Sequence, residues 1–140
     1  MKLAEIMTRD VITIQSSEPL GAAIQILHDN DIRHLPVLKG EELVGLISDR
    51  DIRHYRPPDQ MVDENVMATV ELLDTPLWQA MTSNVITLTP GDTIDRALDF
   101  FVDLRVGAIC VVAGPRLVGI VSYVDVLRAI RDQRRANAAS

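Results

Sequence analysis

Leu43-Val44-Gly45-Leu46-Ile47-Ser48-Asp49-Arg50-Asp51 is answered later in the chain by Leu117-Val118-Gly119-Ile120-Val121-Ser122-Tyr123-Val124-Asp125. The first run begins at residue 43 and the second at residue 117, an offset of 74. The same offset relates Met7-Thr8 to Met81-Thr82 and Val11-Ile12-Thr13 to Val85-Ile86-Thr87. Identities also fall at Ala23/Ala97, Asp29/Asp103, Val37/Val111 and Gly40/Gly114, and no gap is needed from Met7 to Tyr55. Chance similarity does not hold register across loops, so the chain is an internal duplication.

Each copy reads the same way. A short β-branched segment (Val11 to Ile14; Val85 to Leu88) runs into polar, Pro-bearing punctuation at Ser16 to Pro19 and Thr89 to Thr93. Leu20, Ala23, Ile24 and Leu27 then fall at helical spacing, as do Ile94, Ala97, Leu98 and Phe101. Pro19 and Asp92 suit the starts of these helices. Two strands follow in each copy, His34 to Leu38 with Leu43 to Ile47 and Ala108 to Val112 with Leu117 to Val121, turned at Gly40 and Gly114. A second helix starts after Ser48 and after Ser122. The expected fold is α+β: two tandem βαββα units, each too small to bury much surface alone and therefore packed as a pseudo-twofold pair. The units span 7–56 and 80–131, with a connector at 57–79 and a frayed tail at 132–140. In the connector, Met61 to Leu73 is expected to form one helix, and Trp78 to anchor in the core at the junction.

Composition narrows the function. With 140 residues and 47% hydrophobic content the chain can build a real core. Its longest apolar stretches, such as Ala108 to Ala113, fall far short of the roughly 18–20 residues a membrane helix needs. Lys2, Glu5, Arg9 and Asp10 at the N-terminus lack the apolar run of a secretion signal, so a cytoplasmic location is expected. One cysteine, Cys110, excludes an internal disulfide and a multi-cysteine zinc site, and its apolar neighbours mark it as a buried filler. The net charge of −6 argues against nucleic-acid binding, which draws affinity from a basic surface. Arg128, Arg131, Arg134 and Arg135 read as the solvated face of the final helix.

The closing motif carries the candidate chemistry. A strand that runs into a helix presents unpaired amides and a positive dipole end, so the turns at Ser48 and Ser122 suit an anion. Asp51 and Asp125, three residues on, can accept hydrogen bonds from a ribose diol. Gly45 and Gly119 leave room for a ring or a neighbouring backbone. The same Ser-x-x-Asp pattern is also a capping box that satisfies its own helix. The residues alone leave both readings open. Arg33, His34 and Arg50 either neutralise phosphates or balance nearby acids, whereas Arg53 and His54 read as surface charge. The second copy has Gly107-Ala108 and Tyr123-Val124 at those places, so the charge is lopsided between the two.

These residues resemble the CBS-domain family. The resemblance rests on Met7-Thr8 with Val11-Ile12-Thr13, on Ile32-Arg33-His34-Leu35-Pro36-Val37, and on Gly45 to Asp51. It recurs in Met81-Thr82 with Val85-Ile86-Thr87, in Val106-Gly107-Ala108-Ile109-Cys110-Val111, and in Gly119 to Asp125. It implies a regulatory adenine nucleotide (AMP, ADP or ATP, or S-adenosylmethionine) in a cleft between the copies, with no metal. Ser48 and Ser122 would lie near phosphate, Asp51 and Asp125 on ribose, and Thr13 and Thr87 at the pocket edge. The backbone of Ile32 to Pro36 and of Val106, Gly107, Ala108, Ile109 and Cys110 would surround adenine. It also implies a homodimer formed through the helices, for which Ile52, Tyr55, Val126, Leu127 and Ile130 supply apolar surface.

No catalytic constellation is visible. His28, His34 and His54 lie at no metal spacing, and neither a P-loop nor a Gly-x-Ser-x-Gly elbow occurs. A non-enzymatic sensor acting on a protein partner in trans is the reading the resemblance favours. The alternative is a constitutive dimerisation scaffold with vestigial sites.

Overall fold

The computed structural model describes residues 1–55 and 66–139. The chain divides into two compact units, one formed by Ile12–Val85 and the other by Met1–Val11 with Ile86–Ser140. Each unit is thus one copy of the repeat joined by the opening segment of the other copy, whereas the repeat boundaries had assigned Met7-Thr8 and Met81-Thr82 to their own copies.

In the first unit β1 (Ile14–Gln15) lies parallel to β2 (His34–Lys39), which pairs antiparallel with β3 (Glu42–Ser48). The hairpin turns at Gly40, whose φ of +64° suits a residue without Cβ. The Gln15 carboxamide clamps that turn, donating to Gly40 O at 2.9 Å and accepting from Gly40 N at 3.0 Å. β1 is shorter than the β-branched run Val11 to Ile14 suggests. Ile14 pairs with Val37, so Thr13 would stand opposite Pro36, which has no N–H for the ladder. In the second unit β4 (Thr87–Leu88) starts one position earlier, because Thr87 faces Cys110, which keeps its N–H.

α1 (Leu20–Asp29) buries Leu20, Ala23 and Leu27 against the sheet. Leu35, Val37, Ile47 and Leu77 complete that core. α2 (Asp49–Tyr55) follows β3 directly. The connector contributes α3 (Val66–Leu73) and α4 (Leu77–Ala80), while positions 61–65 of the expected helix lie outside the described residues. Leu20 N donates to Thr75 O at 2.7 Å, tying the start of α1 to this connector. Trp78 does not anchor the core: it is 62% exposed, and its neighbour Leu77 is fully buried instead. On a single helical turn only one of two adjacent residues can face inward.

The second unit repeats the plan with β4, α5 (Ile94–Leu104), β5 (Ala108–Ala113), β6 (Arg116–Ser122) and α6 (Tyr123–Ala139). Leu3, Met7, Leu88, Ile94, Ala97, Phe101, Ile109, Val111, Val121 and Val126 form its core. Thr93, not Asp92, is the N-cap of α5, accepting from Arg96 N at 3.2 Å. Asp92 instead closes the preceding turn, accepting from Thr89 N at 2.7 Å, a bond that holds its carboxyl below the usual range. Arg105 ends α5 in the left-handed region at φ 55°, where Asp31 sits in the first unit at φ 50°. α6 continues to Ala139, so 132–139 is helix rather than a frayed tail. Val126 is fully buried in this core and offers no surface for self-association; Leu127, 54% exposed, still does. Cys110 is buried, and the loss of hydration pushes its thiol pKa up to about 12.

Candidate functional site

Each unit builds its candidate site where the last strand of the hairpin turns into the following helix. In the first unit Asp51 Oδ2 accepts from both Ser48 N and Ser48 Oγ at 3.0 Å, and Ser48 Oγ accepts from Asp51 N at 3.1 Å. In the second, Asp125 Oδ2 accepts from Ser122 N at 2.8 Å and Ser122 Oγ from Asp125 N at 3.3 Å. Both turns are reciprocal capping boxes, which resolves one of the two readings the sequence left open.

The cap leaves fewer donors for an anion than an open helix start would. Asp49 N is already taken by Arg33 O at 3.1 Å, and Tyr123 N by Gly107 O at 3.4 Å. These two bonds also fix the loops that bear Ile32-Arg33 and Val106-Gly107 beside the helix starts. The cap nevertheless consumes only one oxygen of each carboxylate. Oδ1 of Asp51 lies outside it and accepts from Thr82 Oγ1 at 3.3 Å, while Oδ1 of Asp125 stands 3.8 Å from Arg128 Nη1. Ser48, Asp51, Ser122 and Asp125 are all half-buried.

The remaining predicted residues fall into two groups. Thr13, Ile32, His34, Val106 and Gly107 are half-buried, and Arg33, Arg50 and Thr87 are exposed. Pro36, Ala108 and Ile109 are buried; Ile109 belongs to the core of its unit, whereas Pro36 and Ala108, out of step with Leu35, Val37 and Ile109 along their strands, face the other side of the sheet. His34 pairs with Ser48 across the ladder, as Ala108 does with Ser122. Burial lowers the His34 pKa below 6.5, outweighing the opposing pull of Asp49 and Asp51. Arg50 is drawn along α2, its Nε donating to His54 Nε2 at 3.4 Å.

Gly45 and Gly119 do make room, for methionine sulfur at both and, at Gly119, for the neighbouring backbone as well. A Cβ on Gly45 would overlap Met81 Sδ, and one on Gly119 would lie 2.6 Å from Met7 Sδ and 3.1 Å from Thr8 O. The opening Met-Thr segments are held by backbone bridges, Thr82 with Leu46 and Thr8 with Ile120. Sequence reasoning saw these methionines only as repeat markers; the paired Met and Gly at constant offset was the signal available.

A groove of about 590 Å³ also opens between α1 and α2, lined by Ile24, Leu27, Ile32 and Ile52 with Asp31, Arg33, Asp49 and Arg53 among its charged groups. It includes Ile32 and Arg33 but neither Ser48 nor Asp51. Among the described residues no group of three or more His, Cys, Asp or Glu side chains could hold a metal ion, and no helix is long and apolar enough to cross a membrane.

The family model described as CBS domain matches residues 3–57 and 77–132. MJ1404 of Methanocaldococcus jannaschii is 29% identical over 96% of this chain and 33% of its own length. The chain spans between 33% and 49% of the length of the first curated relatives it matches. Two similar solved structures cover 95% of the chain and 98% of their own. One is the CBS domain pair of MJ0100 in complex with 5′-methylthioadenosine and S-adenosyl-L-methionine, 24% identical with a TM-score of 0.76. The other is CBSX2 in complex with AMP, 20% identical with a TM-score of 0.77.

Proposed function

Because the chain belongs to the CBS-domain family, we propose that it is a non-enzymatic regulatory module binding an adenine nucleotide at its duplicated Ser-x-x-Asp turns. The observation that carries this reading is the division of labour within each carboxylate. Oδ2 closes the cap, and Oδ1 remains outside it on a half-buried aspartate, as an acceptor for a ribose hydroxyl.

The ligands of the two solved relatives support the class. AMP, 5′-methylthioadenosine and S-adenosylmethionine share adenine and the ribose 2′,3′-diol and differ at the 5′ position. Recognition through ribose and adenine suits turns whose helix amides are largely occupied. Adenine would lie along the backbone of Ile32 to Pro36 and of Val106 to Cys110, with Thr13 and Thr87 at the edges. Phosphate would fall to Ser48 and Ser122 and, in the first unit alone, to Arg33, His34 and Arg50. AMP, ADP, ATP and S-adenosylmethionine are therefore the candidate ligands, and a phosphorylated one would favour the first unit. Binding acts by differential affinity for two conformations, and its output is a change in a separate partner protein.

A homodimerising interaction scaffold is the second reading, favoured by the exposed Val102, Leu104, Tyr123, Val124 and Leu127 of the second unit. Thermal unfolding across an adenine-ligand panel separates the two. A ligand at a hundred times its dissociation constant adds about 2.7 kcal/mol. A raised melting temperature supports the sensor; a flat panel supports the scaffold.

A further inference from the structure

We infer that Thr82 is a positioning residue for the ribose acceptor of the first unit, a role that rests on the nucleotide reading above. By sequence Thr82 opens the second repeat, but it lies in the unit built on the first. Its backbone bridges Leu46 through two bonds of 2.9 Å, Thr82 N to Leu46 O and Leu46 N to Thr82 O. Leu46 precedes Ser48 by two residues, so the bridge sets the Thr82 hydroxyl beside the capping turn. There Oγ1 donates to Asp51 Oδ1 at 3.3 Å.

The consequence lies in the geometry of the carboxylate. An aspartate χ2 torsion is broad, so a carboxylate held on one oxygen alone can rock. Ser48 supplies two donors to Oδ2 and Thr82 one to Oδ1, so both oxygens of Asp51 are fixed from opposite ends. Each oxygen of an ionised carboxylate accepts about two hydrogen bonds. Oδ2 is full, and Oδ1 keeps one place, aimed by the threonine. A ribose hydroxyl then meets an acceptor already oriented, with less rotational freedom to lose on binding.

The second unit lacks this device. Thr8 makes the matching bridge to Ile120, but among the described residues its hydroxyl forms no hydrogen bond, and Asp125 Oδ1 faces the Arg128 guanidinium instead. The two turns are therefore inequivalent as ribose acceptors, and the first is the pre-oriented one.

The test is isothermal titration of the full chain with AMP and with ATP, each compared with its 2′,3′-dideoxy form. Thr82→Val removes the donor while keeping size and the backbone bridge. It should raise the dissociation constant of the ribonucleotide ~3- to 10-fold, the value of one hydrogen bond, and leave that of the dideoxy form unchanged. Thr82→Ser should restore the wild-type value, and Thr8→Val should alter neither ligand. If the valine variant does not fold, Thr82→Ala, which adds no bulk, takes its place in the same comparison. Equal ribonucleotide affinity in the Thr82 variant and wild type overturns the role, as does an equal loss for ribo and dideoxy forms. A wild-type protein that binds none of AMP, ADP, ATP and S-adenosylmethionine, or binds its ligand undiminished in the paired variant Asp51→Asn/Asp125→Asn, overturns the nucleotide reading itself.

Discussion

Gly119→Ala should loosen the opening segment from the second unit. A Cβ there would sit 2.6 Å from Met7 Sδ, 2.9 Å from Met7 Cγ and 3.1 Å from Thr8 O. The thioether can swing aside, but Thr8 O is backbone and accepts from Ile120 N at 3.0 Å, while Thr8 N donates to Ile120 O at 3.0 Å. Relief of the overlap must therefore move the segment and weaken both bonds. Overpacking costs about 1–3 kcal/mol and each of the two strained hydrogen bonds up to about 1 kcal/mol, which together give roughly 1–5 kcal/mol. For a chain of this length that lowers the melting temperature by roughly 3–17 °C. Differential scanning calorimetry reads the shift, and hydrogen exchange at the Thr8 and Ile120 amides reads the local opening. Gly91→Ala, with nothing within 4 Å of the added carbon, is the control and should stay within about 0.5 kcal/mol of wild type. The three atoms nearest a Cβ at Gly45 all belong to the Met81 side chain, which can swing aside, so Gly45→Ala should cost less than Gly119→Ala. Unchanged stability in Gly119→Ala, with both amides still protected, would refute the reasoning.

Other consequences follow from the same contacts. Leu77→Ala should destabilise the protein by about 2–5 kcal/mol and Trp78→Ala by under about 0.5 kcal/mol, as measured by chemical denaturation. Ser122→Ala should cost about 1 kcal/mol, because it removes the hydroxyl that caps Asp125 N; equal midpoints in urea would contradict the box. His34 has a folded pKa below 6.5, so protonation favours the unfolded chain. The stability it confers is full above pH 6.5 and is lost as pH falls through the lowered folded value; NMR titration should place its midpoint below 6.5, and His34→Gln should flatten that part of the stability profile. Cys110 should resist iodoacetamide at pH 8 in the native protein and react once unfolded, since its thiol pKa stands near 12.

Much of the fold was legible because duplication tests itself. Leu20, Ala23 and Leu27 repeat as Ile94, Ala97 and Phe101, and both sets are buried; Gly40 and Gly114 both take positive φ at their hairpins. What escaped were contacts between residues distant in sequence. Nothing local in Met81-Thr82 announces a bridge to Leu46, and helical spacing alone does not decide which of Leu77 and Trp78 faces inward. The strand lost at Thr13 depends on Pro36 across the ladder, a pairing visible only once register is known. At the site, Ser48-x-x-Asp51 was readable as a capping box, and that is how it is built; the separate fate of Oδ1 needed coordinates.

Amide-resolved NMR during titration with AMP tests the central claim most directly. Saturable shifts should concentrate at Ser48, Asp51 and the Ile32 to His34 backbone, with weaker or later changes at Ser122 and Asp125. Saturation with these amides unmoved and shifts elsewhere, or no shift from any adenine nucleotide, would contradict it.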